Sequence, residues 1–119
     1  MGSVLLDTDG EGLDLIRQLD LAVGIWRART IEELRGLARN TVLLLAVKTD
    51  DDIRRHSALM RAYSTIVIGL GLGPRSWSLA KLHGASGYVH DTLGHSAMRG
   101  ELEQQLHTAA HRSSRFGSR

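Results

Sequence analysis

An uninterrupted apolar segment, VLLLAV at residues 42–47, constrains most strongly what this chain can fold into. The segment shows no alternation of apolar and polar residues, and it ends abruptly at the charged segment KTDDD, residues 48–52. A short apolar run of this kind is typical of a strand that is covered on both faces, as in the middle of a parallel α/β sheet. Because such sheets bind ligands beyond the carboxyl ends of their strands, the sequence predicts a functional site near residues 46–50.

Strands and helices are predicted to alternate along the rest of the chain. Short apolar segments predict four further strands, at residues 4–6, 21–26, 65–70 and 87–90. Helical spacing and helix-start signals predict five helices, at residues 11–19, 30–40, 51–62, 75–83 and 96–111. Short connections and right-handed crossovers leave few arrangements for this order of elements. The leading one is a doubly wound α/β fold with a five-stranded parallel sheet in the order 2-1-3-4-5.

The segment TIEE at residues 30–33 has the pattern of a capping box at the start of the second helix. In such a box the Thr30 hydroxyl accepts from the Glu33 amide, and the Glu33 carboxylate accepts from the Thr30 amide. The helix would end near Asn40, and its inward face would carry Ile31, Leu34 and Leu37.

Composition excludes several classes of protein. At 119 residues the chain is long enough for one domain with a single core, and 42% hydrophobic residues is ordinary for a globular protein. The chain lacks cysteine, which excludes disulfides, and no apolar run approaches the ~20 residues of a membrane span. These features predict a cytoplasmic protein without membrane contact. The formal net charge of +2 gives little support to nucleic-acid binding by this segment itself.

The segment GASGYV at residues 84–89 resembles the segment before and within the fifth strand of response-regulator receiver domains, above all those of the NarL/LuxR type. Acidic residues after the first strand and an apolar third strand fit the same family, so the resemblance covers nearly the whole chain. It implies a CheY-like (flavodoxin-like) fold for residues 1–111, followed by a linker or terminal tail at residues 112–119. Receivers of this type usually precede a helix-turn-helix domain, so the resemblance also implies DNA binding by a further output domain.

A receiver that accepts a phosphoryl group needs two carboxylates after strand one, an Asp at the end of strand three, a Thr or Ser at the end of strand four and a Lys after strand five. The resemblance places these positions on Asp7, Asp9, Ala46, Gly69, His90 and Asp91. Ala46 offers no nucleophile and Gly69 offers no hydroxyl. The lysine position falls on Asp91, or on His90 if one residue is deleted, and Mg²⁺ loses an oxygen ligand at Ala46. The resemblance therefore implies an atypical receiver, or pseudo-receiver, that is not an enzyme and holds no metal or cofactor.

Pseudo-receivers are thought to regulate an attached output domain without phosphoryl transfer, through dimerisation, partner binding or, in some cases, a small-molecule ligand. The resemblance thus implies a cytoplasmic regulator of transcription, with a homodimer face formed by the fourth helix, the fifth strand and the fifth helix. Its candidate residues are Trp77, Lys81, Tyr88, Met98, Leu102 and Leu106. Trp77 fits a core position equally well. Tyr88 is expected to be fixed, because Gly69 provides no switch hydroxyl for its ring to follow.

Two alternatives concern phosphate chemistry. Asp50, Asp51 and Asp52 fit the positive end of a helix, but one of them could be a displaced acceptor in a phosphorylatable receiver. Residues 69–73 form G-x-G-x-G between a strand and a helix, so a small flavodoxin-like binder of a nucleotide or another ligand is the other alternative. Pro74 weakens this second interpretation because it removes an amide donor.

A metal site is a third, weaker alternative. His107 and His111 lie four residues apart on the last predicted helix, and Glu103 lies four residues before them. Helical metal ligands use this spacing, but residues of this kind usually form a solvated helix face.

Overall fold

The computed structural model describes residues 2–7, 9–21, 24–38 and 40–117, with side chains described as far as Ala109. The strands are β1 (Ser3–Leu6), β2 (Ile25–Ala28), β3 (Val42–Val47), β4 (Ser64–Gly69) and β5 (Gly87–His90). The α-helices are α1 (Glu11–Leu19), α2 (Asp50–Arg55), α3 (Ser57–Ala62), α4 (Ser76–Leu82) and α5 (His95–Gly117). Two short 3-10 helices, Ile31–Leu34 and Asp91–Leu93, complete the secondary structure of the described residues.

The five strands form one parallel sheet in the order β2-β1-β3-β4-β5. This order and the helices on both faces of the sheet confirm the predicted α/β fold, which is flavodoxin-like. The predicted bounds of β3 and β5 are also confirmed. In the register of the sheet, Gly69 lies opposite both Val47 and His90, so the carboxyl ends of β3, β4 and β5 meet at one edge.

Alternate residues of β3 contribute to two separate apolar layers, one on each face of the sheet. The layer under α2, α3 and α4 includes Leu43, Leu45, Val47, Ile53, Met60 and Ala80. The layer under α1 and α5 includes Val42, Leu44, Ile16, Met98, Leu102 and Leu106. A strand that is buried on both faces needs apolar residues at every position, which is why residues 42–47 show no alternation.

The second strand lies further along the chain than predicted. The predicted strand covered residues 21–26, whereas β2 spans Ile25–Ala28; residues 22 and 23 lie outside the described residues. The bounds follow from pairing with β1, which runs from Ser3 opposite Ile25 to Leu6 opposite Ala28. Since β2 is at the edge of the sheet, its Trp26 side chain is 74% exposed. A strand that is only partly buried carries a weak hydrophobic pattern, so its bounds are difficult to predict from the sequence.

The helix predicted at residues 30–40 is wrong. The structure has a single 3-10 turn, Ile31–Leu34, and Gly36 then adopts a positive φ of 84°, which ends the turn. The capping box is absent because the Glu33 carboxylate accepts instead from the Arg29 N–H at 2.7 Å. Ile31, predicted to face inward, is 49% exposed, whereas Leu34 is buried.

The helix predicted at residues 51–62 is divided into α2 and α3 at His56. The His56 Nδ1 atom lies 2.7 Å from the Asp52 carbonyl oxygen, the acceptor that an unbroken helix would offer to the His56 N–H. That N–H contacts the Ile53 oxygen instead. A capping box is found here instead, since Thr49 accepts from the Asp52 N–H and the Asp52 carboxylate accepts from the Thr49 N–H.

The last helix is longer than predicted, because α5 continues through residues 112–117, where the sequence suggested a linker. Residues 118 and 119 lie outside the described residues. Within the described part of the chain, no helix combines the length and the apolar character that a membrane span requires.

Candidate functional site

Asp7, which follows β1 at the carboxyl edge of the sheet, is committed to structural contacts. Its side chain is only 3% exposed, and its carboxylate accepts from the Leu13 N–H at 3.0 Å. The Arg27 guanidinium lies 3.8 Å from the same carboxylate and donates to the Asp7 carbonyl oxygen at 3.0 Å. This residue therefore joins the start of α1 to β2.

Ala46, the position of the acceptor in the predicted receiver, lies directly beneath helix α1. A Cβ atom added to Gly12 would lie 2.7 Å from the Ala46 Cβ and 3.2 Å from the Asp7 carboxylate. The backbone of α1 thus approaches so closely that Gly12 has no room for a side chain. The acceptor position of the predicted receiver carries only a methyl group, which lies against the backbone of α1.

Lys48, which is absent from the residues predicted for the site, places a positive charge among the nearby carboxylates. Its Nζ atom contacts the Asp9 carboxylate and lies 3.1 Å from the Glu11 carboxylate. The hydrogen bond from Lys48 lowers the pKa of the Asp9 carboxyl, and the hydrogen bond to Asp9 raises the pKa of Lys48. These side chains are largely exposed, so solvent screens the pair. The sequence could have indicated Lys48 only by its position. It is one of the chain's two lysines and lies two residues after Ala46.

Asp91 and His90, the two candidates for the lysine position, make contacts that a lysine could not make. Both carboxylate oxygens of Asp91 accept from the Gly71 N–H, at 2.9 and 3.0 Å. The His90 ring stacks on the Tyr88 ring with centroids 5.7 Å apart, and its Nδ1 atom contacts the Thr92 hydroxyl. The Asp91 carboxylate therefore lies where the resemblance requires a lysine. It also binds the Gly71 N–H, so this amide is not free to bind a phosphate group.

The space beside Gly69 is filled by the Tyr88 side chain rather than left open for a ligand. A Cβ atom added to Gly69 would lie 2.5 Å from the Tyr88 hydroxyl oxygen. Tyr88 is only 8% exposed, and its hydroxyl donates to the Gly73 carbonyl oxygen at 2.8 Å. Burial raises the pKa of the Tyr88 phenol, which a hydrogen bond with Ser76 partly opposes. The absence of a side chain at Gly69 therefore makes room for the Tyr88 ring and does not open a cavity for a ligand.

An open cleft of about 410 Å³ lies at the same edge of the sheet. Its lining residues are Glu11, Asp14, Leu15, Gln18, Lys48, Leu70, Gly71 and Asp91. The cleft brings Asp91 and Lys48 together, whereas Ala46 and Gly69 are not among its lining residues. It is an open depression whose charged lining consists of three carboxylates and one ammonium group, and it is not an enclosed pocket.

The three consecutive aspartates at the start of α2 each have a structural partner. Asp50 accepts from the Ser76 hydroxyl at 2.7 Å, and Asp51 forms an ion pair with Arg54 at 2.9 Å. Asp52 belongs to the capping box described above. These contacts favour the interpretation as a helix cap over that of a displaced acceptor.

Most residues predicted for the dimer face belong to the core. Met98 and Leu102 are fully buried and Leu106 is 5% exposed. All three lie on the face of α5 that packs against the sheet. The prediction that they form a surface is wrong, because the apolar stripe of α5 faces inward. Trp77 is 37% exposed and its ring is stacked on that of Tyr88, with centroids 6.1 Å apart. Lys81 is exposed.

A second cleft, of about 400 Å³, lies on the surface formed by α4, β5 and α5. Pro74, Trp77, Tyr88, Leu93 and Gln105 are among its lining residues. The Gln105 side chain donates to the Tyr88 carbonyl oxygen, which covers part of the free edge of β5.

The possible metal ligands on α5 are not assembled into a site that can be described. Glu103 forms an ion pair with Arg99 at 3.2 Å, and the His111 side chain lies outside the described residues. Where side chains are described, no three or more His, Asp or Glu residues are grouped to hold a metal ion.

Comparison of the chain with protein-family models, curated proteins and solved structures found no match. The likeness to receiver domains therefore depends on residues 84–89 and on the pattern of residues at the strand ends.

Proposed function

We propose that this chain is a receiver-like regulatory domain that works without phosphorylation of an aspartate. The proposal depends on one observation. The residue at the acceptor position is Ala46, and its methyl group lies beneath α1 at Gly12. Phosphoryl transfer to a protein side chain needs a nucleophile and positioned positive charge. Neither a nucleophile at position 46 nor a lysine after β5 is present.

The charges near the acceptor position support the same proposal. In a phosphorylatable receiver, Mg²⁺ neutralises the carboxylates after strand one. Here the Lys48 ammonium ion contacts both Asp9 and Glu11, while Asp7 is held by Arg27 and the Leu13 amide. The protein's own cations and amides thus satisfy these carboxylates, and a divalent cation would have to displace Lys48.

The domain then acts by binding another protein surface, and we propose a homodimer formed through α4, β5 and α5. The exposed parts of Trp77, Lys81 and Leu93 provide this surface. Aromatic side chains of this kind are enriched in protein interfaces. In the full-length protein, dimerisation would place two DNA-binding output domains on two half-sites, as in a cytoplasmic transcription regulator.

The first experiment is an NMR titration of the domain with Mg²⁺ and beryllofluoride, which mimics a bound phosphoryl group. We expect no saturable shifts at residues 7–9, 46–52 or 91, with the fold intact. Saturable shifts at these positions would show a working acceptor site and would overturn the proposal.

The second experiment tests dimerisation by sedimentation at high micromolar concentration. We expect a dimer that Trp77→Ala weakens by about tenfold or more, since a central aromatic side chain often contributes strongly to an interface. Trp26→Ala is the matched control, because Trp26 is 74% exposed on the opposite edge of the sheet. A monomeric native chain, or equal effects of the two variants, would contradict this dimer face.

Small-molecule binding is a second candidate function, favoured by the cleft of about 410 Å³ beside Lys48 and Asp91. Its volume falls within the range of small-ligand sites, although its open shape is less typical. Thermal-shift measurements with charged metabolites test it, with Asp91→Asn as the variant that should reduce any response. A broad panel without a response would remove this candidate.

A further inference from the structure

The loop between β4 and α4, residues 70–75, is held by side chains that belong to other elements. They are Asp91 after β5 and Tyr88 on β5, while Asp50 at the start of α2 holds Ser76, the first residue of α4. We propose that these contacts keep the loop, and with it the surface formed by α4, β5 and α5, in one conformation that does not switch. This inference goes beyond the proposed function, because it concerns how the surface is maintained and not what binds there.

The first contact fixes the beginning of the loop. The Gly71 N–H donates to both oxygens of the Asp91 carboxylate, at 2.9 and 3.0 Å. Hydrogen bonds to an ionised acceptor are stronger than those between neutral groups. Gly71 also has a φ of 73°, a conformation that favours glycine, so the turn that presents this N–H is specified locally.

The second contact fixes the middle of the loop and explains the glycine at the end of β4. The Tyr88 hydroxyl donates to the Gly73 carbonyl oxygen at 2.8 Å, and the ring lies beside both Trp77 and His90. Since a Cβ on Gly69 would lie 2.5 Å from that hydroxyl oxygen, a side chain at position 69 and the inward Tyr88 ring exclude each other. The glycine therefore permits the inward position of Tyr88.

The third contact fixes the start of α4. Ser76, the first residue of this helix, is 7% exposed, and its hydroxyl donates to the Asp50 carboxylate at 2.7 Å. The start of α4 is thereby joined to the start of α2. The loop is thus held at its beginning by Asp91 and in its middle by Tyr88, and the helix that follows it is held by Asp50. Movement of the loop together with α4 would break all three contacts.

NMR of the 119-residue chain and of three variants tests the inference. In the native chain we expect no microsecond-to-millisecond exchange at residues 70–75, and cross-peaks between the Trp77 and Tyr88 rings. Asp91→Ala should accelerate hydrogen exchange of the Gly71 amide by about tenfold or more, the range for the loss of one hydrogen bond to a charged acceptor. Asp91→Asn, which keeps a neutral acceptor, should give a smaller increase.

The substitution Gly69→Ala should displace the Tyr88 ring and remove its cross-peaks with Trp77. Gly100→Ala is its control, because no atom lies within 4 Å of a Cβ added to Gly100 on the surface of α5. Microsecond-to-millisecond exchange of residues 70–75 in the native chain would overturn the inference, as would an unchanged Gly71 amide in Asp91→Ala. If Gly69→Ala does not fold, the Asp91 variants decide alone. None of these outcomes depends on dimerisation or on the beryllofluoride titration.

Discussion

Replacing Ala46 by Asp would place the residue type of a phosphoryl acceptor at the end of β3, but we expect it to destabilise the domain without creating a phosphorylation site. The new side chain would extend toward the backbone of α1, where Gly12 already lies against the Ala46 methyl group. It would also add a carboxylate beside Asp7, which is 3% exposed. Asp7 and Ala46 directly follow Leu6 and Leu45, which are paired on neighbouring strands.

The size of the electrostatic effect follows from this geometry. Neighbouring strands are about 4.8 Å apart, so the two carboxylates would be separated by about 5 Å. At that distance, two like charges repel by about 0.8 kcal/mol in water and about 3 kcal/mol at an effective dielectric constant near 20. We therefore expect the Ala46→Asp variant to be about 1–3 kcal/mol less stable at pH 7 than Ala46→Asn, which has nearly the same shape without the charge. The Arg27 guanidinium lies 3.8 Å from the Asp7 carboxylate, and its positive charge reduces the repulsion toward the lower value.

Urea denaturation of both variants at several pH values provides the measurement. Repulsion raises the pKa of the introduced carboxyl in the folded state, so the protonated form is favoured by folding. The stability difference should consequently be small near pH 4 and grow as the pH rises through that raised pKa. An Ala46→Asp variant as stable as Ala46→Asn at pH 7, or one that binds beryllofluoride with Mg²⁺, would refute the reasoning.

Three further predictions concern the core and two of the charged or polar groups. Leu102→Ala should reduce the free energy of unfolding, measured in urea, by about 2–5 kcal/mol. Leu82→Ala is the control, because the Leu82 side chain is 77% exposed and its loss should change this free energy by less than about 0.5 kcal/mol. Equal effects would contradict the inward orientation of α5. Burial raises the pKa of the Tyr88 phenol in the folded state above its ordinary value of 10.0. The stability of the fold should therefore be retained below about pH 10 and should fall as the pH rises through this raised pKa. Tyr88→Phe should lose less stability over this alkaline range in thermal denaturation, and parallel losses would count against the burial argument. Lys48→Gln should raise the pKa of the Asp9 carboxyl toward its ordinary value of 3.8, measured by NMR titration, and an unchanged value would show that the ion pair is not formed in solution.

Much of the fold could be predicted because it depends on local patterns. The segment at residues 42–47 is apolar at every position, as a short strand that is covered on both faces requires. The alternation of strands and helices then leaves few sheet orders, and the observed order was among them. The absence of a nucleophile at Ala46 and of a hydroxyl at Gly69 is likewise a matter of residue identity, which the sequence states directly.

Local patterns failed where a distant or competing contact decided the outcome. The capping-box pattern at Thr30 did not form a helix, because Glu33 binds the Arg29 amide and Gly36 turns the chain. The apolar residues of α5 suggested an interface, but the helix uses them against the sheet. A hydrophobic stripe gives the same sequence signal whether it covers its own core or a partner.

The sequence by itself determined the buried central strand, the parallel α/β arrangement and the lack of a nucleophile at Ala46, because each depends on residue type or on spacing along the chain. Only the tertiary structure decided that the Lys48 ammonium ion lies between Asp9 and Glu11. It also decided that the Tyr88 hydroxyl fills the space beside Gly69. These side chains are distant in sequence and become neighbours only when the parallel strands align their carboxyl ends at one edge of the sheet.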